Sequence, residues 1–187
     1  MQTLSADEKL VRAAGDLLVE IGPAASTVRK IAEKASVNHG LVHHYFRSKD
    51  LLLRAAMIQL LEEHRDFVKD ESNGELTPPP MLLLKQRRYL RAVAHCVLDG
   101  QLDLALLEIT EGLSVPQSAL QQFAANHGGK ITFEMKSQTC AAMALEMGWV
   151  LLEPFIFAVS GIEEHEIGDA RNAAIELRRK MVGKLTV

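Results

Sequence analysis

The stretch from Thr27 to Phe46, TVRKIAEKASVNHGLVHHYF, constrains the fold more than any other part of the chain. Val28, Ile31, Ala32 and Ala35 recur at helical spacing, which predicts a short helix capped by Ser26 or Thr27, with a polar opposite face. Ser36-Val37 interrupts that period, and Asn38 is a good cap for a second short helix that buries Val42 and Phe46. Two short helices around a tight turn are the shape of a helix-turn-helix, in which the first helix braces the second against the major groove of DNA. Ala32 is small where the helices cross, and Val37 is an apolar plug inside the turn. Read from spacing alone, an ordinary helical hairpin in an all-α protein remains the alternative.

The flanks extend the pattern. Ser5-Ala-Asp-Glu8 is a capping box, so a first helix begins near residue 6, lines Leu10, Ala14, Leu17, Leu18 and Ile21 on one face, and stops at Gly22-Pro23. Ser48 caps a fourth helix carrying a long apolar-rich run from Leu51 to Leu61. Taken together, Leu10 to Leu53 resembles the DNA-binding domain of TetR-family transcriptional regulators. Ala13-Ala14, Leu17, Gly22, Thr27-Val28, Ile31-Ala32, Ala35, Val37, Gly40, Tyr45-Phe46 and Ser48-Lys49 carry the likeness.

Three departures from the family's pattern stand out. Ser36 occupies the turn position where Gly is usual, at a cost of about 1 kcal/mol for a non-Gly residue at positive φ. His43 stands where a phosphate-reaching Tyr is common. The outer face of the second short helix therefore reads His39, Gly40, His43, His44 and Tyr45, rich in imidazole and poor in Lys or Arg.

Net charge is −3, which by itself argues against a nucleic-acid partner. Its distribution is more informative: residues 1–50 hold seven Lys and Arg against six Asp and Glu, and the remainder fourteen against eighteen. A slightly basic head on an acidic body fits DNA binding through a few placed cations and helix N-termini. Cys96 and Cys140 have no metal-ligand spacing and form no disulfide framework, so both are expected as buried apolar residues in a cytoplasmic protein. No signal peptide is evident, and no apolar run approaches the roughly 20 residues that span a bilayer, so no membrane partner is expected.

Beyond residue 70 the sequence DESNGELTPPP is the clear break. We expect residues 1–50 to form the helix-turn-helix domain, 51–70 a connecting helix, and 71–187 a helical ligand-binding and dimerisation domain, about nine helices in an all-α fold. The expected elements are Met81 to Leu98, Leu102 to Leu113, Gln117 to Asn126 with Lys130 to Met147, an almost wholly apolar Trp149 to Val159 buried on nearly every side, and Glu163 to Lys184. The last carries Ile167, Ala170, Ala174, Ile175, Leu177 and Met181 as a stripe, readable either as packing within one subunit or as a dimer face.

The resemblance implies a transcriptional regulator, a repressor, that binds a palindromic double-stranded operator as a homodimer. A small-molecule effector entering between helices five to eight would shift the fourth helix and change the spacing of the two heads. Candidate DNA-binding residues are Thr27, Asn38, His39, Gly40, His43, His44, Tyr45 and Lys49. Arg29 and Lys30 are read equally as phosphate contacts or as a solvated face. Candidate effector contacts are Tyr89, Val93, Cys96, Glu108, Phe123, Phe133, Met143, Met147, Trp149, Phe155 and Phe157, each also readable as core.

A second class of function uses the same imidazoles, together with His64, His95, His127 and His165, for metal sensing or for a helical interaction. His39 and His43 share a helix face, but no nearby Cys or carboxylate completes a site. No cofactor is expected, and neither a phosphate-binding loop nor a nucleophile elbow suggests an enzyme. Because imidazole gains its charge near neutrality, DNA affinity is expected to rise as pH falls toward 6. Binding isotherms between pH 8 and 6 check this, and a flat profile would refute it.

Overall fold

The computed structural model describes residues 4–74, 78–126 and 128–183. Among them every regular element is helical, in ten α-helices with two short 3₁₀ turns. His127, Lys184 and residues 75–77 of the expected break lie outside the described residues.

Helix α1 (Ala6–Ala25) opens on the expected capping box, with the Ser5 N–H donating to Glu8 Oε2 at 2.8 Å. Leu10, Ala14, Leu17 and Leu18 are buried along one face. Gly22 breaks the helix at φ 76°, ψ 173°, a conformation open to glycine, and Pro23 starts one further turn. Helix α2 (Val28–Ala35) buries Ile31, Ala32 and Ala35 and is capped by Thr27, whose Oγ1 accepts from the Lys30 N–H at 3.3 Å. Ser26, the other candidate cap, is buried and donates its hydroxyl to the Gly22 carbonyl at 2.6 Å.

Ser36 ends α2 in the left-handed region at φ 55°, ψ 42°. Its N–H and that of Val37 return to the Glu33 and Ala32 carbonyls at 3.1 and 3.0 Å, satisfying the last turn. Helix α3 (Gly40–Phe46) follows, with Val42 fully buried. Phe46, expected beside Val42 in the core, is half-buried. As the last residue of a short helix it reaches the edge of the head, beside Leu4 and Val11 in the wall of a groove of about 810 Å³.

Helix α4 (Lys49–Glu71) leads out of the head. By compactness, residues 4–66 and 88–113 form one unit and residues 67–87 and 114–183 another. The first unit thus adds most of α4, α5 (Arg88–Leu98) and residues 99–113 to the three expected head helices, with the Arg88 guanidinium 2.8 Å from the Asp16 carboxylate. The run expected as one helix from Met81 to Leu98 is divided. Leu82, in a 3₁₀ turn, packs with Val68 and Val115 in the second unit, whereas Tyr89, Leu90, Ala92 and Cys96 are buried in the first. The helix expected over Leu102 to Leu113 is likewise two short pieces, α6 (Leu102–Ala105) and α7 (Leu107–Thr110), parted at Leu106. Cys96 is fully buried as expected; Cys140, expected buried, is exposed.

In the second unit α8 (Val115–Asn126) precedes α9 (Phe133–Ser160), a single helix in which Gly148 makes no break and Pro154 is accommodated. The sequence predicted two elements here. By length and apolarity this continuous helix meets the bare requirement for crossing a bilayer, which corrects the expectation that no run approaches it. The expected burial on nearly every side is also corrected. Met135, Ala142, Glu146, Val150, Glu153 and Phe157 form one covered stripe, while Leu152, Phe155 and Val159 are 52, 63 and 67 % exposed in the single chain. One neighbouring surface covers one face of α9, and the apolar opposite face is left over. Helix α10 (Ile167–Gly183) buries Ala174 and exposes Leu177.

Two carboxylates tie this unit together. Glu153 receives Arg171 in a fork of 2.8 and 2.9 Å, Arg87 at 3.2 Å and the Trp149 indole N–H at 3.1 Å. Glu146 meets Arg178 at 2.7 Å. The Arg171 hydrogen bonds, helped by Arg87, hold the Glu153 carboxyl down at about 2, whereas burial outweighs Arg178 and raises Glu146. The folded state binds the Glu153 proton less tightly than the unfolded chain does. Its stabilisation is therefore complete above the ordinary glutamate value of 4.5 and is lost as pH falls from there toward about 2. Glu153→Gln is expected to lower the thermal midpoint at pH 7 and to flatten its fall in acid, with a loss of about 2 kcal/mol at neutrality. Melting curves at pH 7 and pH 3 check this.

Candidate nucleic-acid interface

The head is built so that its short α3 presents one face to solvent. Val42 anchors the inner side, and Asn38, His39, Gly40, His43, His44 and Tyr45 are all exposed on the outer side or at its N-terminal edge. The Asn38 side-chain oxygen accepts from the Gly40 N–H at 2.8 Å, so Asn38 satisfies one orphan amide of the helix start as a cap should. The His44 ring meets Tyr45 edge-on, with centroids 4.9 Å apart. His43 Nδ1 lies 3.3 Å from the Arg47 carbonyl oxygen, which orients that imidazole at the helix end. These imidazoles and the Tyr45 hydroxyl offer donors and acceptors suited to phosphate oxygens and base edges.

Thr27 is exposed at the N-terminus of α2, although its hydroxyl oxygen already serves as the cap. Lys49 is half-buried, and its ammonium donates to the Pro23 carbonyl at 3.2 Å. That contact relieves the cation at the positive end of α4 from within the protein. Three other cations of the head are similarly engaged. Arg29 pairs with Glu33 at 2.8 Å, Lys34 with Glu20 at 2.9 Å, and Lys30 donates to the Ala25 carbonyl at 3.2 Å. Arg47 was passed over by sequence reasoning, yet it is exposed just beyond α3 and enters no ion pair among the described residues. Its position immediately after Phe46 was the available signal.

Among the described residues no three His, Cys, Asp or Glu side chains gather as metal ligands. His39 and His43 stand one turn apart in solvent.

The residues singled out for an effector divide between the two units. Tyr89, Val93, Cys96 and Glu108 belong to the first, where the Tyr89 hydroxyl donates to Glu108 at 2.7 Å and the ring stacks on His64 with centroids 4.8 Å apart. Burial, reinforced by the Glu108 charge, pushes the Tyr89 phenol well above its ordinary value, and burial pushes the Cys96 thiol up to about 11. Both groups stay protonated. Phe123, Phe133, Met143, Met147, Trp149, Phe155 and Phe157 belong to the second unit. Trp149 meets Phe157 edge-on at 5.8 Å, whereas Phe133 and Phe155 are exposed in the single chain.

Helices throughout the described residues, with an N-terminal helix-turn-helix that offers its second helix to solvent, are the architecture of DNA-binding transcriptional regulators. Comparison with known proteins supplies the family. Residues 10–56 match the family model for bacterial regulatory proteins of the tetR family. The chain is 30 % identical over 159 residues to the HTH-type transcriptional repressor Rv3405c of Mycobacterium tuberculosis (strain ATCC 25618 / H37Rv), covering 83 % of this chain and 77 % of that protein. Over 61 residues it is 49 % identical to the HTH-type transcriptional regulator BetI of Stenotrophomonas maltophilia (strain R551-3), or 33 % of this chain and 31 % of that one. The crystal structure of a tetR-family transcriptional regulator from Streptomyces coelicolor superimposes with a TM-score of 0.59 at 19 % identity, over 99 % of this chain and 83 % of that chain. The protein belongs to the tetR family.

His44→Ala is expected to lower operator affinity about tenfold while leaving the thermal midpoint nearly unchanged, because it removes an exposed hydrogen-bonding group. Val42→Asp places a carboxylate in the centre of the head and is expected to unfold it. Circular dichroism and a gel-shift titration on both variants check the pair, and equal loss of folding would refute the assignment.

Proposed function

We propose that the protein is a ligand-responsive repressor that binds a palindromic operator as a homodimer and works in the cytoplasm. The observation that carries this reading is the outward row of His39, His43, His44 and Tyr45 on a helix braced by the buried Val42. Such a face, flanked by Thr27 and Asn38, supports a DNA contact made by hydrogen bonds more than by bulk charge. The repressor direction is supported by the name of the M. tuberculosis relative, which shares most of its length with this chain.

Dimerisation is supported by the apolar surface of the second unit. Phe155, Val159 and Leu152 on α9 and Leu177 on α10 are large apolar side chains left more than half exposed, of the kind a subunit interface covers. A helix-turn-helix reader gains affinity from a two-fold partner that reads a second half-site. For the effector we favour the half-buried Phe123, Met147 and Trp149 of the second unit, an apolar set with the Glu153 cluster as its polar neighbour.

Selection of duplexes from a random DNA pool on the purified chain tests the reading. Enrichment of an inverted repeat supports it, and failure to enrich any sequence overturns it. Phe155→Glu is expected to convert the dimer to monomers and to weaken operator binding by at least about tenfold, with the helical signal retained. Light scattering alongside the gel shift checks both halves of that expectation.

A further inference from the structure

The loop that leads from α1 into the reader is held from outside the helix-turn-helix. Gly22 turns the chain at φ 76°, and residues 23–25 make a single helical turn before Thr27 caps α2. The angle of that turn sets where α2, and hence α3, begins. Pro23 has no N–H, so the Ala24 N–H is the first orphan donor of the turn. It donates to Asp99 Oδ2 at 3.0 Å, a carboxylate at the end of α5 that is distant in sequence and close in space. A carboxylate acceptor makes this bond stronger than a neutral one would, although both partners are exposed to solvent.

The approach is tight. A Cβ on Gly22 would lie 2.8 Å from that same Asp99 oxygen and 3.1 Å from His95, one helical turn earlier on α5. Lys49 at the start of α4 holds the next carbonyl, that of Pro23, at 3.2 Å, and Ser26 returns its hydroxyl to the Gly22 carbonyl at 2.6 Å. The elbow thus has a carboxylate on its N–H, an ammonium on its C=O, and a wall of α5 where a side chain would otherwise stand.

We propose that Asp99 is a positioning residue for DNA reading, fixing the elbow at Gly22–Ala24 so that α3 is presented at one angle. The inference rests on α3 being the reader. Asp99 does not itself touch DNA in this scheme. It acts through the Ala24 amide, and the requirement is for an acceptor oxygen at that length of side chain. Asp99→Asn keeps such an oxygen; Asp99→Ala does not.

The test uses the full-length chain and a duplex enriched from a random pool on the wild-type protein, with a scrambled duplex as the non-specific probe. Asp99→Ala is expected to weaken binding to the enriched duplex about tenfold, with non-specific binding and the thermal midpoint unchanged, and Asp99→Asn to restore most of the loss. A head that is merely less stable loses both kinds of binding together as the midpoint falls. That result would overturn the proposal, as would unchanged specific affinity in Asp99→Ala or an Asp99→Asn variant as weak as the alanine. Hydrogen exchange in the DNA-free protein gives a second measurement. Asp99→Ala is expected to speed exchange of the Ala24 amide and of α2 and α3 relative to α4. Equal exchange rates would sink the proposal even if the wild-type chain enriched no duplex, an outcome that fells the operator reading separately.

Discussion

The angle between α2 and α3 is set by one residue in a conformation that its side chain disfavours. Ser36 sits at φ 55°, where glycine would be free of strain, and two amides return from it and from Val37 to the end of α2. The conformational cost is about 1 kcal/mol. Those two hydrogen bonds and the burial of Val42 on the far side of the turn offset it. Were the turn to relax, Val42 would leave the core and the imidazole row would lose its fixed direction together with it. The direction of that row is what the proposed DNA contact depends on.

The two units are stabilised in different ways. In the first, aliphatic side chains of α1, α2 and α4 are buried along with Val42 of α3. In the second, the buried stripe of α9 carries two glutamates, Glu146 and Glu153, whose arginine partners come from elsewhere in that unit. Buried carboxylates of this kind add little net stability compared with apolar side chains, but they make misaligned packing of α9 costly. A long apolar helix would otherwise have few features to fix its register.

Much of the head was legible because short-range chemistry decides it. The capping box at Ser5, the Thr27 cap, the stop at Gly22-Pro23 and the helical spacing of Ile31, Ala32 and Ala35 are local signals, and the structure contains each of them. The body was less legible because long-range packing decides it. Nothing near Met81 announces that Leu82 and Tyr89 serve different cores, and the elements expected to end at Met147 and to begin at Trp149 are one helix. The exposure of Phe155 and Val159 was hidden for a related reason: an apolar run shows that a surface will be covered, and leaves open whether the cover is the same chain. At the candidate interface the histidine row was readable from α3 alone, whereas the inward bond of Lys49 and the grip of Asp99 on Ala24 join residues far apart in sequence.

Arg29, Lys30, Lys34 and Lys49 all spend their charge on the protein itself. Each of these contacts must open before its cation can meet a phosphate, so any DNA contact through them exchanges one partner for another instead of adding a new one.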